Sequence, residues 1–320
     1  MSGETTNVAI ACQGGGSHTA FTAGVLSTVL ESFPGDHELV ALSGTSGGAV
    51  CAALAWVGVQ SPDTDPRSLL TAVWDDLSAR APAQQAVNAG LRTEISLRRM
   101  GIPFPEVSPA FAPPSWWAED FLRDVLKSHV PFDSIDALID EDAPALLISA
   151  VDVCSGRFQI FREGDLCPEA ILASAAIPTL FRAIEVDGCH YWDGLFSKNP
   201  PLKDFVTEDD IPNPDEIWLC KINPQERDRV PITPEGIADR RNELGGNLSM
   251  NAEITFIETV NRWIERGYLP ERFTHTEIRR LRLPRRRNLD WRTKLERDPE
   301  FIARLFVDGE RVAADFLDGR

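Results

Sequence analysis

The chain has 320 residues, 43% of them hydrophobic and 25% charged, which suits a folded protein with one substantial core. A formal charge of −17 at pH 7 argues against nucleic acid as a partner, because binding a phosphate backbone needs a basic footprint. No apolar run approaches the roughly 20 residues of a membrane-spanning helix, and the start Met1-Ser2-Gly3-Glu4-Thr5-Thr6 lacks the basic and apolar regions of a secretory signal. The expected location is cytoplasmic.

In chain order, Asn7–Cys12 reads as a short buried strand broken by Gly14-Gly15-Gly16. Phe21, Val25, Leu26, Val29 and Leu30 then follow helical spacing. A second strand, Leu39–Leu42, runs into Gly44-Thr45-Ser46-Gly47-Gly48, and an alanine-rich helix follows from Ala49 to Val57. Strand, glycine turn and helix thus occur twice in the first 60 residues, the pattern of a parallel sheet with covering helices. Residues 61–144 read as helical and irregular, with an irregular proline-rich excursion from Gly101 to Trp117. Ala145–Val153 is the next strand, with Arg157–Phe161 as its hairpin partner. Glu169–Ala176 is a short helix, and Asp187-Gly188 is a hairpin turn between Ala183–Val186 and Cys189–Trp192. Beyond a strand at Glu216–Ile222, the pattern predicts helix over Thr233–Gly267, a strand over Thr274–Leu283 and a closing helix over Pro299–Leu317. Nothing reads as a flexible linker. The expectation is one domain over 1–320, with the motifs in a core at about 7–222 and a mainly helical C-terminal extension at 223–320.

The six cysteines, at 12, 51, 154, 167, 189 and 220, include no Cys-x-x-Cys pair, so neither a zinc site nor disulfides are expected. Cys12, Cys51 and Cys220 lie in apolar runs and read as buried free thiols.

Chemistry concentrates at three places. Gly44-Thr45-Ser46-Gly47-Gly48 fits a nucleophile elbow: a strand enters, small residues allow a tight turn at Ser46, and a helix leaves. Gln13-Gly14-Gly15-Gly16-Ser17 presents backbone N–H groups without side chains. It lacks the Gly-Lys-Ser/Thr of a Walker loop, and Thr19 stands where a dinucleotide fingerprint needs glycine. An oxyanion hole is the remaining role. The five histidines lie in no evident catalytic motif, so a carboxylate is the candidate base, and Asp193 in Tyr191-Trp192-Asp193-Gly194 is the best placed. Taken alone, an Asp-Gly pair is a plain turn.

Together these motifs, with Ala173-Ser174-Ala175-Ala176-Ile177-Pro178-Thr179-Leu180-Phe181 and Asn199-Pro200, resemble the patatin-like phospholipase family over about residues 7–222. The resemblance implies a three-layer α/β/α fold with a mainly parallel sheet, a Ser-Asp dyad without histidine, no cofactor or metal, and cleavage of acyl esters, usually in lipids. By position, Ser46 is the nucleophile, Asp193 the base, and Gly15 and Gly16 the oxyanion hole shaped by Gly14. Gly44 and Gly48 flank the elbow. The chain departs from the family at His18 and Thr19, where arginine and glycine are usual, and at Leu195 after Asp193-Gly194.

Alternatives share parts of this chemistry. Ser46, Asp193 and His275 follow the order of an α/β-hydrolase triad. An intracellular polyhydroxyalkanoate storage granule offers the same ester carbonyl as a lipid, and the fold could also serve as a non-catalytic regulatory module. The basic cluster Arg279, Arg280, Arg282, Arg285, Arg286 and Arg287 reads as a solvated strand edge or as a peripheral contact with anionic lipid or a granule surface. Trp116 and Trp117 read as packed residues, or as a cap over an acyl pocket.

Overall fold

A computed structural model describes residues 5–99, 107–178, 180–196, 198–270, 273–284 and 289–319. The elements are β1 (Thr6–Cys12), α1 (Ala20–Glu31), β2 (His37–Gly44), α2 (Gly47–Gln60), α3 (Pro66–Leu77), α4 (Pro82–Arg99), α5 (Pro113–His129), β3 (Ala145–Asp152), β4 (Phe158–Phe161), α6 (Pro168–Ala175), β5 (Ile184–Val186), β6 (Cys189–Asp193), α7 (Asp204–Thr207), β7 (Glu216–Lys221), α8 (Pro234–Glu265), β8 (Glu277–Arg282) and α9 (Pro299–Asp318).

The strands form one sheet in the order β5-β6-β3-β2-β1-β7-β8, with β4 also pairing β3. Strands β3, β2, β1, β7 and β8 are parallel, while β4 and β6 run antiparallel to β3. Alternation along each strand sends side chains to two separate cores. Val8, Ile10, Cys12, Leu42, Trp218 and Cys220 face helices α1, α2, α3 and α9. Ala9, Ala11, Ala41, Leu147, Ile217 and Leu219 face Phe205 of α7 and Met250, Ile254 and Ile257 of α8. The result is a three-layer α/β/α fold around a mainly parallel sheet. Cys12, Cys51 and Cys220 are buried within it.

Helix α2 is buried from Gly48 to Gly58, which explains why its sequence is apolar all round instead of amphipathic. Helix α9 crosses α1 at two glycines. A β-carbon at Gly24 would stand 2.0 Å from the Phe306 carbonyl oxygen, and one at Gly309 would stand 2.0 Å from that of Phe21. The end of the chain is thereby fastened onto the helix that follows the glycine loop. Strand β8 extends the sheet beyond β7, so residues 223–320 contribute a strand as well as helices.

One sequence expectation needs correction. Trp116 and Trp117 sit on α5, because Pro113 and Pro114 occupy its first turn, where a missing N–H costs nothing. Residues 100–106 of the expected excursion lie outside the described residues. Trp117 is 69% exposed, and the Trp116 ring lies 5.4 Å from the Arg182 guanidinium. The described arginines of the basic cluster lie on β8, an edge strand of the sheet, and divide between its two faces. Arg279 pairs with Glu216 and stacks on Phe316, whereas Arg280 and Arg282 border a cavity described below. Arg285, Arg286 and Arg287 lie outside the described residues. Among the described residues no helix is long and apolar enough to cross a membrane.

Candidate active site

The site lies at the carboxyl ends of the parallel strands, where loops of a parallel sheet converge. Ser46 follows β2 and caps α2 with φ 57° and ψ −131°, a left-handed φ that a non-glycine residue adopts only under constraint. The constraint is close packing. A β-carbon at Gly48 would stand 2.2 Å from the Cys12 carbonyl oxygen, and one at Gly44 would stand 2.4 Å from that of Gly48. A larger residue at Gly48 would push α2 off β1, and one at Gly44 would push it off β2. Ser46 is further held by its own N–H, which donates to Ser174 Oγ at 3.0 Å. The neighbouring Thr45 hydroxyl is tied to Ser149 Oγ and to the Lys198 carbonyl, each at 2.7 Å.

The glycine loop follows β1, the next strand along. A β-carbon on Gly14 would be 2.9 Å from Ser46 Cβ, so loop and serine are in direct contact. The Gly14 N–H donates to Asn199 Oδ1 at 2.7 Å and is thereby committed. The Gly15 carbonyl accepts from the His18 N–H, and Gly16 has a φ of +56°. Gln13 anchors the loop from behind. Its Oε1 accepts from the Ile222 and Asn223 N–H groups at 2.9 Å, and its Nε2 donates to Asn247 on α8.

Asp193 ends β6, on the opposite side of β2 from the glycine loop. It is 1% exposed, and Ser46 is 6% exposed. Carboxylate Oδ1 accepts from the Leu195 N–H at 2.8 Å, while Oδ2 is buried with no hydrogen bond. Burial pushes this carboxyl up to about 7, against smaller opposing effects from the Leu195 N–H, the Ser46 hydroxyl and the Lys294 charge. The serine hydroxyl is therefore close enough to favour the charged form, yet the contact falls short of a completed hydrogen bond to Oδ2. Asp193 and Ser46 are thus brought together from positions 147 residues apart.

His18, at the position where the family usually has arginine, is not a cation. Burial and then the Lys294 charge push its ring down to about 3, Asp290 opposing, and it pairs with Thr293 Oγ1 at 2.7 Å. It braces the loop as a neutral group against the C-terminal segment. The nearby basic group is Lys294, which burial pushes below the ordinary lysine range; its Nζ donates to Asn223 Oδ1 at 2.8 Å, and Asn223 in turn donates to the Gly14 carbonyl at 3.1 Å. Neither Lys294 nor the Asn199 clamp was legible as a site residue. Asn199 carried a signal in the Asn199-Pro200 pair, but Lys294 has no local motif.

His275 does not join the site. It precedes β8 at the opposite rim of the sheet, is 53% exposed at its side chain, and faces Glu265 at 3.7 Å. A Ser46-Asp193-His275 triad is incompatible with that placement. Among the described residues no group of histidine, cysteine, aspartate and glutamate side chains could hold a metal ion.

No curated protein sequence matches the chain. Among solved structures, VipD from Legionella pneumophila is similar over 99% of this chain and 67% of its own, at 13% identity and a TM-score of 0.43. The heterodimeric ExoU-SpcU complex from the type III secretion system of Pseudomonas aeruginosa is similar over 99% of this chain and 52% of its own, at 14% identity and a TM-score of 0.39. Human GIVD cytosolic phospholipase A2 is similar over 50% of this chain and 23% of its own, at 19% identity and a TM-score of 0.30. The chain therefore spans about two thirds, half and a quarter of these three. The family model for patatin-like phospholipase matches residues 10–206, more than half of the sequence. With the elbow, glycine loop and buried carboxyl inside that match, the chain belongs to the patatin-like phospholipase family, a family of lipid acyl-ester hydrolases.

Proposed function

We propose that the protein hydrolyses lipid acyl esters in two steps, with Ser46 as nucleophile and Asp193 as general base. The observation that carries this reading is a buried carboxyl with one free oxygen beside a serine held at a strained turn. The Ser46 oxygen bonds to the ester carbonyl carbon while its proton passes to Asp193. The oxyanion forms beneath the N–H groups of Gly15 and Gly16, since that of Gly14 is already committed to Asn199. Each such donor contributes on the order of 3 kcal/mol. The first turn of α2 adds its N-terminal dipole. The carbonyl re-forms, the alcohol leaves with the proton from Asp193, and the acyl group stays on Ser46. Asp193 then takes a proton from water as it attacks, and the carboxylic acid is released with Ser46 restored.

The role of a base suits a carboxyl poised near neutral pH, because it is ionised when needed yet still a competent proton acceptor. Peripheral contact with a lipid surface would bring the ester to a site this buried. The test is cleavage of p-nitrophenyl esters, phospholipid, triglyceride and polyester granules by wild type and Ser46→Ala, with fluorophosphonate labelling in parallel. Wild type is expected to cleave lipid esters and to be labelled, and Ser46→Ala to do neither while keeping its circular dichroism. Equal cleavage by the two proteins would refute Ser46 as the nucleophile, and cleavage of granules alone would move the substrate to the polyester.

A further inference from the structure

A cavity of about 1380 Å³ lies behind the glycine loop, on the same carboxyl rim of the sheet as Ser46. It does not include Ser46 or Asp193. His18, Ile222, Asn223 and Lys294 are common to its wall and to the packing around the loop. Strand order places β1 between β2 and β7, so the end of β7 is two strand spacings, about 10 Å, from the end of β2 that bears Ser46.

Lys221 ends β7, and Arg282, its register partner, ends β8. Arg280 is two residues earlier on the same face of β8. Among the described residues none of the three has a carboxylate partner. Among the described residues Lys221 donates to Gln225 Oε1 alone, at 3.1 Å. Burial and then repulsion by Arg282 and Arg280 push its ammonium down to about 8. Three cations held together without an anion, in a protein of charge −17, is an arrangement that folding alone disfavours. Acids also line the cavity, but Glu243 is engaged by Arg227 and Arg240, Glu226 and Asp290 have partners of their own, and the exposed Asp228 pairs with none of the three cations among the described residues. The wall leaves the cavity at Arg229 and continues through Val230 and Ile232, which are 84% and 88% exposed. Apolar side chains next to unpaired cations suit a lipid surface, whose phosphates lie above its acyl chains.

We propose that Lys221, Arg280 and Arg282 form a subsite for the phosphate of a phospholipid headgroup, held in this cavity while an acyl ester of the same lipid reaches Ser46. The proposal rests on the acyl-hydrolase reading and adds where the headgroup of its substrate is held. Arginine supplies forked donors that match phosphate oxygens, and lysine adds a point charge. These residues lie beyond the 10–206 match, so the subsite belongs to the C-terminal part of this chain.

Binding is measured on Ser46→Ala protein, so that nothing is consumed, by calorimetry with short-chain soluble phosphatidylglycerol, its diacylglycerol counterpart, glycerol 3-phosphate and inorganic phosphate. Phosphatidylglycerol is expected to bind more tightly than the other three, and Arg280→Gln with Arg282→Gln to weaken it by about tenfold or more. Arg279→Gln, which removes the same charge from the other face of β8, is expected to leave that affinity within about twofold. Arg282→Gln alone replaces the double variant if the latter loses its circular dichroism. Equal affinity for diacylglycerol, or no loss in the arginine variants, would overturn the subsite. Inorganic phosphate binding as tightly as the lipid would overturn the headgroup as its occupant. The reading of Ser46 fails separately: it falls if wild type cleaves no ester, whatever the binding shows.

Discussion

Replacing Asp193 with asparagine should reveal a stability cost that the wild-type protein bears above neutral pH. Burial disfavours the charged form of this carboxyl and pushes it up to about 7 when folded, against the 3.8 of a solvated aspartate. The folded state is therefore not penalised below 3.8, where both forms are protonated. Between 3.8 and 7 the unfolded chain gives up its proton while the folded protein keeps it, and the penalty grows by about 1.4 kcal/mol per pH unit. Above 7 it levels off near 4 kcal/mol. Between pH 5 and pH 8 the penalty grows by about 2.5 kcal/mol. Asparagine does not titrate, and its Oδ1 can still accept from the Leu195 N–H. Urea unfolding of Asp193→Asn and wild type at pH 5, 6, 7 and 8 measures the difference directly. The variant should gain on wild type by about 2.5 kcal/mol over that range while losing ester cleavage. Wild-type kcat/KM should rise with pH through about 7 as the base ionises. A stability difference that stays flat from pH 5 to pH 8 would refute the buried, proton-holding carboxyl, and with it the argument for Asp193 as a tuned base.

Asn199→Ala leaves the Gly14 N–H buried without an acceptor, which should cost about 1–3 kcal/mol of stability in urea unfolding and, by loosening the loop, lower kcat with little change in KM. Steady-state kinetics on a soluble ester check it. His275→Ala should retain wild-type kcat/KM on the same ester, since that side chain lies on the far rim with Glu265; a loss of a hundredfold would restore the triad. Gly309→Ala should destabilise by about 1–3 kcal/mol or more in urea, because the new β-carbon would press on the Phe21 carbonyl and separate α9 from α1.

Much of the architecture was legible because it is encoded locally. Apolar runs bounded by glycine marked β1 and β2, and the Asp187-Gly188 pair marked the β5–β6 hairpin, where both residues indeed adopt positive φ. The reading failed where a local signal has two meanings. Proline-rich sequence signals irregular chain, yet Pro113 and Pro114 open α5 because the first turn of a helix tolerates them. The run of arginines read as a strand edge, and β8 is an edge strand, but only the register of β8 decides that Arg279 goes to one face and Arg280 and Arg282 to the other.

By itself the sequence determined the order of strands and helices, the small residues that a tight turn at Ser46 requires, and the candidate chemistry of a serine and an aspartate. Each of these follows from turn geometry, periodicity or residue type over a few neighbours. Only the tertiary structure decided that Gly14 is clamped by Asn199, that His18 is a neutral brace, that Lys294 holds Asn223 behind the loop, and that Lys221 meets Arg280 and Arg282 in a cavity. Those outcomes depend on burial and on contacts between residues far apart in the chain. Desolvation and Coulomb interaction are set by what surrounds a group in space, and no local pattern records it.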